Sequence, residues 1–148
     1  MHLTHKDGYL LSDDKSLLDV ELVHRWLSKD AYWALGRELS RVQDSINGSD
    51  SYGIYDPQQA LVGFCRVVTD RATFAWLCDV YIDPGHRGHG LGTWLVDQVR
   101  GVYAATGMRR MLLATNDAHE VYRAVGFEAL AAPERWMEIE FNPPRRAD

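Results

Sequence analysis

Asp79-Val80-Tyr81-Ile82-Asp83-Pro84-Gly85-His86-Arg87-Gly88-His89-Gly90-Leu91-Gly92-Thr93-Trp94-Leu95 is the stretch that decides the fold. It starts as an apolar strand, is stopped by Asp83-Pro84, and becomes a helix. Leu91, Leu95, Val99 and Val102 recur at helical spacing and form a core-facing stripe. Between strand and helix, Gly88, Gly90 and Gly92 alternate, so no Cβ keeps a ligand off the main chain there. The first amides of a helix lack intrahelical partners and lie at the positive end of its dipole. Such a turn suits a pyrophosphate, and Arg87 at its mouth offers a charged donor.

Spacing excludes two familiar phosphate binders. A dinucleotide fingerprint begun at Gly88 would need its third glycine where Thr93 stands, and the loop follows the fourth strand rather than the first. No Gly-Lys-Ser/Thr triplet exists for a P-loop.

Outward from this stretch the apolar period alternates between two and 3.6. Gly8–Leu11 reads as a first strand, then Leu22, Val23, Trp26 and Leu27 as a helix capped by Asp19. A second helix carries Leu39, Val42 and Ile46 and ends at Asn47-Gly48. Tyr52–Tyr55, Ala60–Val68 and Thr73–Ile82 are strands separated by Asp-Pro and Asp-Arg turns. After the glycine loop come a helix over 90–106, a strand Arg110–Thr115, and a short helix with Asp117 as cap and Glu120 completing the box. Trp136–Phe141, where apolar residues alternate with glutamates, closes the set as a strand. The order β-α-α-β-β-β-α-β-α-β describes an α+β (mixed α/β) fold: a central mixed sheet of about six to seven strands with helices on both faces. It occupies one domain over 1–141, and 142–148 form a polar tail.

The 148 residues carry 16 basic and 21 acidic side chains, a net charge of −5. That sign gives no phosphate attraction and argues against nucleic acid as a partner. No apolar run approaches the roughly 20 residues of a membrane span, and the first residues lack the apolar core of a signal peptide. A cytoplasmic protein with no membrane partner is expected. Cys65 and Cys78 lie in apolar runs and read as reduced, buried thiols. His24, His86, His89 and His119 have no metal-ligand spacing, so no metal is expected.

Arg87-x-x-Gly90-x-Gly92 between a strand and a helix resembles the acyl-CoA signature of the GNAT N-acetyltransferase family. Asn116, Ala118, Tyr122 and Gly126-Phe127 are similar to that family's downstream segment, and the element order agrees with its fold over nearly the whole chain. The resemblance implies acetyl-CoA as co-substrate. Its pantetheine would run along Val80, Tyr81 and Ile82 as an added strand, with one amide there facing the thioester oxygen. Amides across Arg87, Gly88, His89, Gly90, Leu91, Gly92 and Thr93 would take the diphosphate, and Asn116 would hold the acyl arm.

Tyr122 takes the place of the family's general acid, the alternative being a packing residue. Asp79, a carboxylate in an apolar strand, is read as base or substrate anchor; a backbone cap or an arginine partner is the competing reading. Glu21, His24, Tyr32 and Trp33 fall in the segment that walls the family's acceptor pocket. Trp26 and Trp33 also suit core or rim packing. Arg109 or Arg110 is within the range of residues that touch an adenosine 3′-phosphate. The implied activity is acetyl transfer to a primary amine by direct attack, the acceptor a small molecule. A non-catalytic acyl-CoA-binding or sensor module of the same fold is the alternative, with a misread nucleotide binder the third. From the family also comes the expectation of a homodimer joined along sheet edges.

Overall fold

Strands and two short helices make up the first half, and one long amphipathic helix organises the second. The computed structural model describes residues 1–142. Residues 143–148, nearly all of the expected tail, lie outside the described residues. β1 (His2–Thr4) and β2 (Leu10–Ser12) form a hairpin. α1 (Val20–Arg25) runs into a π-turn over Trp26–Asp30, and α2 (Leu39–Asn47) follows. Then come β3 (Asp50–Tyr55), β4 (Leu61–Thr69), β5 (Phe74–Ile82), α3 (Leu91–Ala104), β6 (Arg110–Leu112) and α4 (His119–Ala124). The six strands form one sheet in sequence order; every neighbouring pair is antiparallel except β5 and β6, which are parallel across the α3 crossover. This is the mixed α/β fold expected, with helices on both faces.

Each face has its own core. Leu95, Val96 and Val99 of α3 are fully buried against Ile54, Val67 and Leu77. Val23 of α1 and Val42 and Ile46 of α2 pack on the opposite face against Phe64 and Tyr81. The sequence cues hold at most boundaries: Asp19 Oδ1 accepts the Leu22 amide at 3.0 Å, capping α1.

Three expectations are corrected. The first strand has a partner not foreseen, because His2–Thr4 is three exposed residues with no apolar pattern. Asp117 does not cap α4. The Thr115 hydroxyl accepts the Asp117 and Ala118 amides at 3.4 and 3.1 Å, so the chain has turned before the Asp117 side chain can reach the helix. Trp136–Phe141 is not a strand. It follows a 3₁₀ turn at Pro133–Arg135 and pairs with nothing among the described residues, leaving Met137 96% and Phe141 86% exposed. Alternation supplies the pattern of a strand, but a strand forms only against another edge.

Two features of β5 position the site. First, it pairs with β6 only over Phe74–Trp76, so the strand expected to run from Arg110 to Thr115 leaves β5 after Leu112 and the two part. Second, the register with β4 slips: Arg66 faces Cys78 but Phe64 faces Tyr81, so two β5 residues oppose Cys65. Asp79, at φ +54°, occupies this bulge. A bulge reverses the alternation of faces. Ala75 and Leu77 accordingly point into the α3 core, whereas Tyr81 points into the α1–α2 core.

Because Leu95 has no exposed surface, Leu95→Ala should lower unfolding free energy by about 2–5 kcal/mol in urea titrations, through lost burial and the cavity left.

Candidate active site

At the point where β5 and β6 separate lies a cavity of about 300 Å³. Its walls are aromatic: Tyr32 and Trp33 from the loop after the π-turn, Trp76 from β5, and Tyr122 from α4. The π-turn closes with the Ala31 amide bonded to the Trp26 carbonyl at 3.2 Å, which turns the chain so that Tyr32 and Trp33 face the opening. Tyr32 reaches across it, its hydroxyl accepting the Asn116 amide at 2.9 Å. Asn116 is therefore tied to the facing wall through its backbone.

The floor of the cavity is an ionic cluster. Asp79, with a side chain 1% exposed, accepts hydrogen bonds from three groups. Trp33 Nε1 donates to Oδ1 at 2.9 Å; Arg37 and Arg66 donate to Oδ2 at 2.8 and 2.6 Å. Burial alone would push this carboxyl up, but the charges and hydrogen bonds of Arg66 and Arg37 outweigh it and hold it below the usual carboxylate range. Of the two readings of Asp79, this geometry is that of an arginine partner: a carboxylate so held is a weak proton acceptor. Arg37 and Arg66 gave no signal in the sequence. Arg66 reaches Asp79 only through strand register, and Arg37 only through the loop between the π-turn and α2.

The other pocket candidates divide. Trp33 lines the cavity as expected, whereas Glu21 is exposed in the first turn of α1 and does not. His24 is also outside the lining, but its Nε2 donates to the Arg37 carbonyl at 3.0 Å and fixes the backbone that carries that guanidinium. Trp26 is core, stacked on Tyr81 at 5.2 Å between ring centres.

On the other side of the β5 edge is the glycine loop. Gly88 and Gly90 have φ of +93° and +70°, a backbone region costly for side-chain residues, and a Cβ at either would meet no protein atom within 4 Å. Gly90 is the N-terminal cap of α3, with no side chain capping the helix. The amides of Leu91, Gly92 and Thr93 thus open the helix without intrahelical partners. Leu91 lends only its backbone, since its side chain is buried. His89 and Thr93 are exposed. Arg87 Nε donates to the Ile82 carbonyl at 3.1 Å, and its guanidinium sits 5.7 Å above the Tyr81 ring. The β1–β2 hairpin braces the loop from behind: the Tyr9 hydroxyl and His86 Nδ1 are 3.0 Å apart.

Tyr122 lines the cavity from α4, half-buried and edge-on to Phe127 at 6.0 Å. Burial pushes its phenol up to about 12, so it is protonated at neutral pH. Cys78, also in the lining, is pushed up to about 11 by burial and is a neutral thiol; both cysteines are free. Among the described residues, no cluster of three or more His, Cys, Asp or Glu is placed to hold a metal, and no helix is long and apolar enough to cross a membrane.

Known proteins share the sequence pattern and the fold of this chain. The profile of the Acetyltransferase (GNAT) family matches residues 20–127. The chain belongs to the GNAT acetyltransferase family. A Gibberella zeae protein named as an acetyltransferase is 29% identical over 136 residues, covering 79% of this chain and 77% of the relative. A solved GNAT-family structure from Xanthomonas campestris superposes with a TM-score of 0.85 at 41% identity, covering 90% of this chain and 93% of that one. A Mycobacterium tuberculosis protein solved in complex with CoA shares the fold at TM-score 0.65 and 20% identity, over 81% of this chain and 72% of that one.

Removing the Asp79 charge should strand two partly buried guanidiniums. Asp79→Ala is expected to cost about 3–5 kcal/mol in denaturant unfolding. Since its folded pKa is depressed, the wild-type contribution is complete above the ordinary carboxylate pKa of about 4 and disappears as pH falls through the lowered value. The difference between wild type and Asp79→Ala should therefore be constant near neutrality and shrink only in acid.

Proposed function

We propose that this GNAT enzyme transfers the acetyl group of acetyl-CoA to the amine of a small molecule that also carries an anionic group. The observation behind the transfer is the fork: β5 beyond Trp76 has an edge left open by β6, and it leads into a loop whose main-chain donors face outward. Pantetheine adds to that edge at Val80–Ile82, the diphosphate sits on the amides of Gly88–Thr93, and the bulge at Asp79 aims a neighbouring amide at the thioester oxygen.

Chemistry follows by direct attack. The amine nitrogen bonds to the thioester carbonyl carbon, the carbon–sulfur bond breaks, the sulfur takes the Tyr122 proton, and the proton released by the amine returns through water to the Tyr122 phenolate. Tyr122 lines the cavity and is kept protonated by burial, which supports its role as the proton donor. The acceptor side rests on the floor. Arg37 and Arg66 each present further N–H donors beyond those engaged by Asp79, enough to bind a carboxylate or phosphate. Asp117 stands in the lining as the one carboxylate besides Asp79. An acceptor with an anion for the arginines and its amine towards the thioester fits this polarity.

Tyr122→Phe should reduce turnover by about 10²-fold or more with CoA affinity unchanged, measured by thiol release and calorimetry. CoA binding with no thiol release on any amine would instead favour the sensor module. Gly90→Asp, placing a carboxylate and a Cβ where the diphosphate sits, should abolish CoA binding, while the strain of a side chain at φ +70° lowers the melting temperature by only about 2–4 °C. Between an amino acid and its carboxamide as acceptors, the carboxylate form should show a KM lower by about tenfold or more; equal KM values would remove the arginines from acceptor recognition.

A further inference from the structure

Arg87 is bonded to the end of β5. Its Nε donates to the Ile82 carbonyl at 3.1 Å, a contact that spans the 3₁₀ turn at Pro84–His86. The register shows which way that carbonyl points. Ile82 stands opposite Gly63 of β4, and the Asp83 amide donates to the Val62 carbonyl at 2.8 Å. In an antiparallel ladder the bonding groups alternate between the two sides of a strand, so the N–H and C=O of Ile82 point away from β4. They belong to the edge that β6 leaves open, since β6 pairs only over Phe74–Trp76. Arg87 therefore covers a main-chain acceptor on the open edge.

The hold is a weak one. Arg87 is exposed, and among the described residues it makes no ion pair. Its guanidinium rests 5.7 Å from the centre of the Tyr81 ring. That ring is fixed in turn: its hydroxyl donates to Asp30 Oδ2 at 3.1 Å, and Trp26 stacks on it. A guanidinium held by one bond to a neutral carbonyl exchanges it readily for an anion, because a hydrogen bond between charged groups is about twice as strong. The amides of Gly88–Thr93 start at the next residue, so a diphosphate on them is a neighbour of Arg87 along the chain.

We infer that Arg87 selects the donor: without a ligand it covers the Ile82 carbonyl, and the diphosphate of CoA draws it off and opens that carbonyl to an amide N–H of pantetheine. The inference rests on the proposed seating of CoA along β5 and the glycine loop, and adds that the two halves of that site are coupled. Pantetheine alone must compete with Arg87 for the edge, whereas a diphosphate alone releases the edge. Each half of the ligand therefore favours binding of the other, by the same factor in both directions. The outcome is preference for intact CoA over shorter thioesters such as acyl-pantetheine, achieved by blocking the wrong donor as well as by contacting the right one.

Titrations of the full chain with pantetheine, inorganic pyrophosphate and CoA, followed by amide chemical shifts, test this without any acceptor. Saturating pyrophosphate should tighten pantetheine binding by about fivefold or more, as expected when the edge is open in only about a fifth of unliganded molecules. Arg87→Ala should weaken CoA and pyrophosphate by about tenfold or more. The same variant should bind pantetheine alone as tightly as the wild type does with pyrophosphate, and should show no coupling. Pantetheine affinity indifferent to pyrophosphate in the wild type, or unchanged or weakened in Arg87→Ala, overturns the inference and leaves Arg87 a phosphate ligand only. Failure of the seating itself has a different signature: Gly90→Asp would then bind pyrophosphate as tightly as the wild type, and both readings would fall together.

Discussion

A buried carboxylate in a strand bulge organises this molecule. Asp79 sits at positive φ where β5 gains one residue over β4, and its two oxygens bind an indole and two guanidiniums. An unpaired charge at that depth would be very unfavourable, so Trp33 and Arg37 must come to it from the α1–α2 loop and Arg66 from β4. The cluster thereby pins a loop of one helical layer to the centre of the sheet. The extra residue also switches which core the strand feeds, giving Tyr81 to α1 and α2 while Val80 and Ile82 lie on the side of α3. The fork between β5 and β6 opens beside this point, so loop, bulge and cleft are parts of one local solution.

The two halves of the cleft rely on different physics. The glycine-loop side is main chain: a bare helix terminus, glycines at positive φ, and an open strand edge. Those features need few particular side chains and depend on local conformation. The cavity side is built of side chains from the α1–α2 loop, β4, β5 and α4, and its charge pattern arises only when the sheet is assembled. His24 shows how indirect this becomes, since it acts on the carbonyl of Arg37 rather than on anything in the cavity.

Much of the architecture was legible because it is local. Asp19 caps α1, Gly48 ends α2, Pro84 stops β5 and Gly90 opens α3, each by conformational rules acting over a few residues. Where two local candidates competed, the sequence misled: Thr115 rather than Asp117 satisfies the amides before α4. Tyr122 lines the cavity, in keeping with the place that the family resemblance gave it between Asn116 and Gly126. Asp79 was legible as unusual but not as to role, because its partners lie 13, 42 and 46 residues away. Glu21 was placed in the pocket by its segment, yet the helix turns that face to solvent.

The sequence by itself determined most of the periods, the cap of α1, the glycine turn and the family to which they belong, because these depend on neighbours within a turn or two of the chain. Tertiary structure alone decided which side chains meet at Asp79, how far β6 follows β5, and that the alternating Trp136–Phe141 has no strand beside it among the described residues. Pairing and charge compensation are properties of contacts, and a contact between distant residues is settled only when the sheet has set its register.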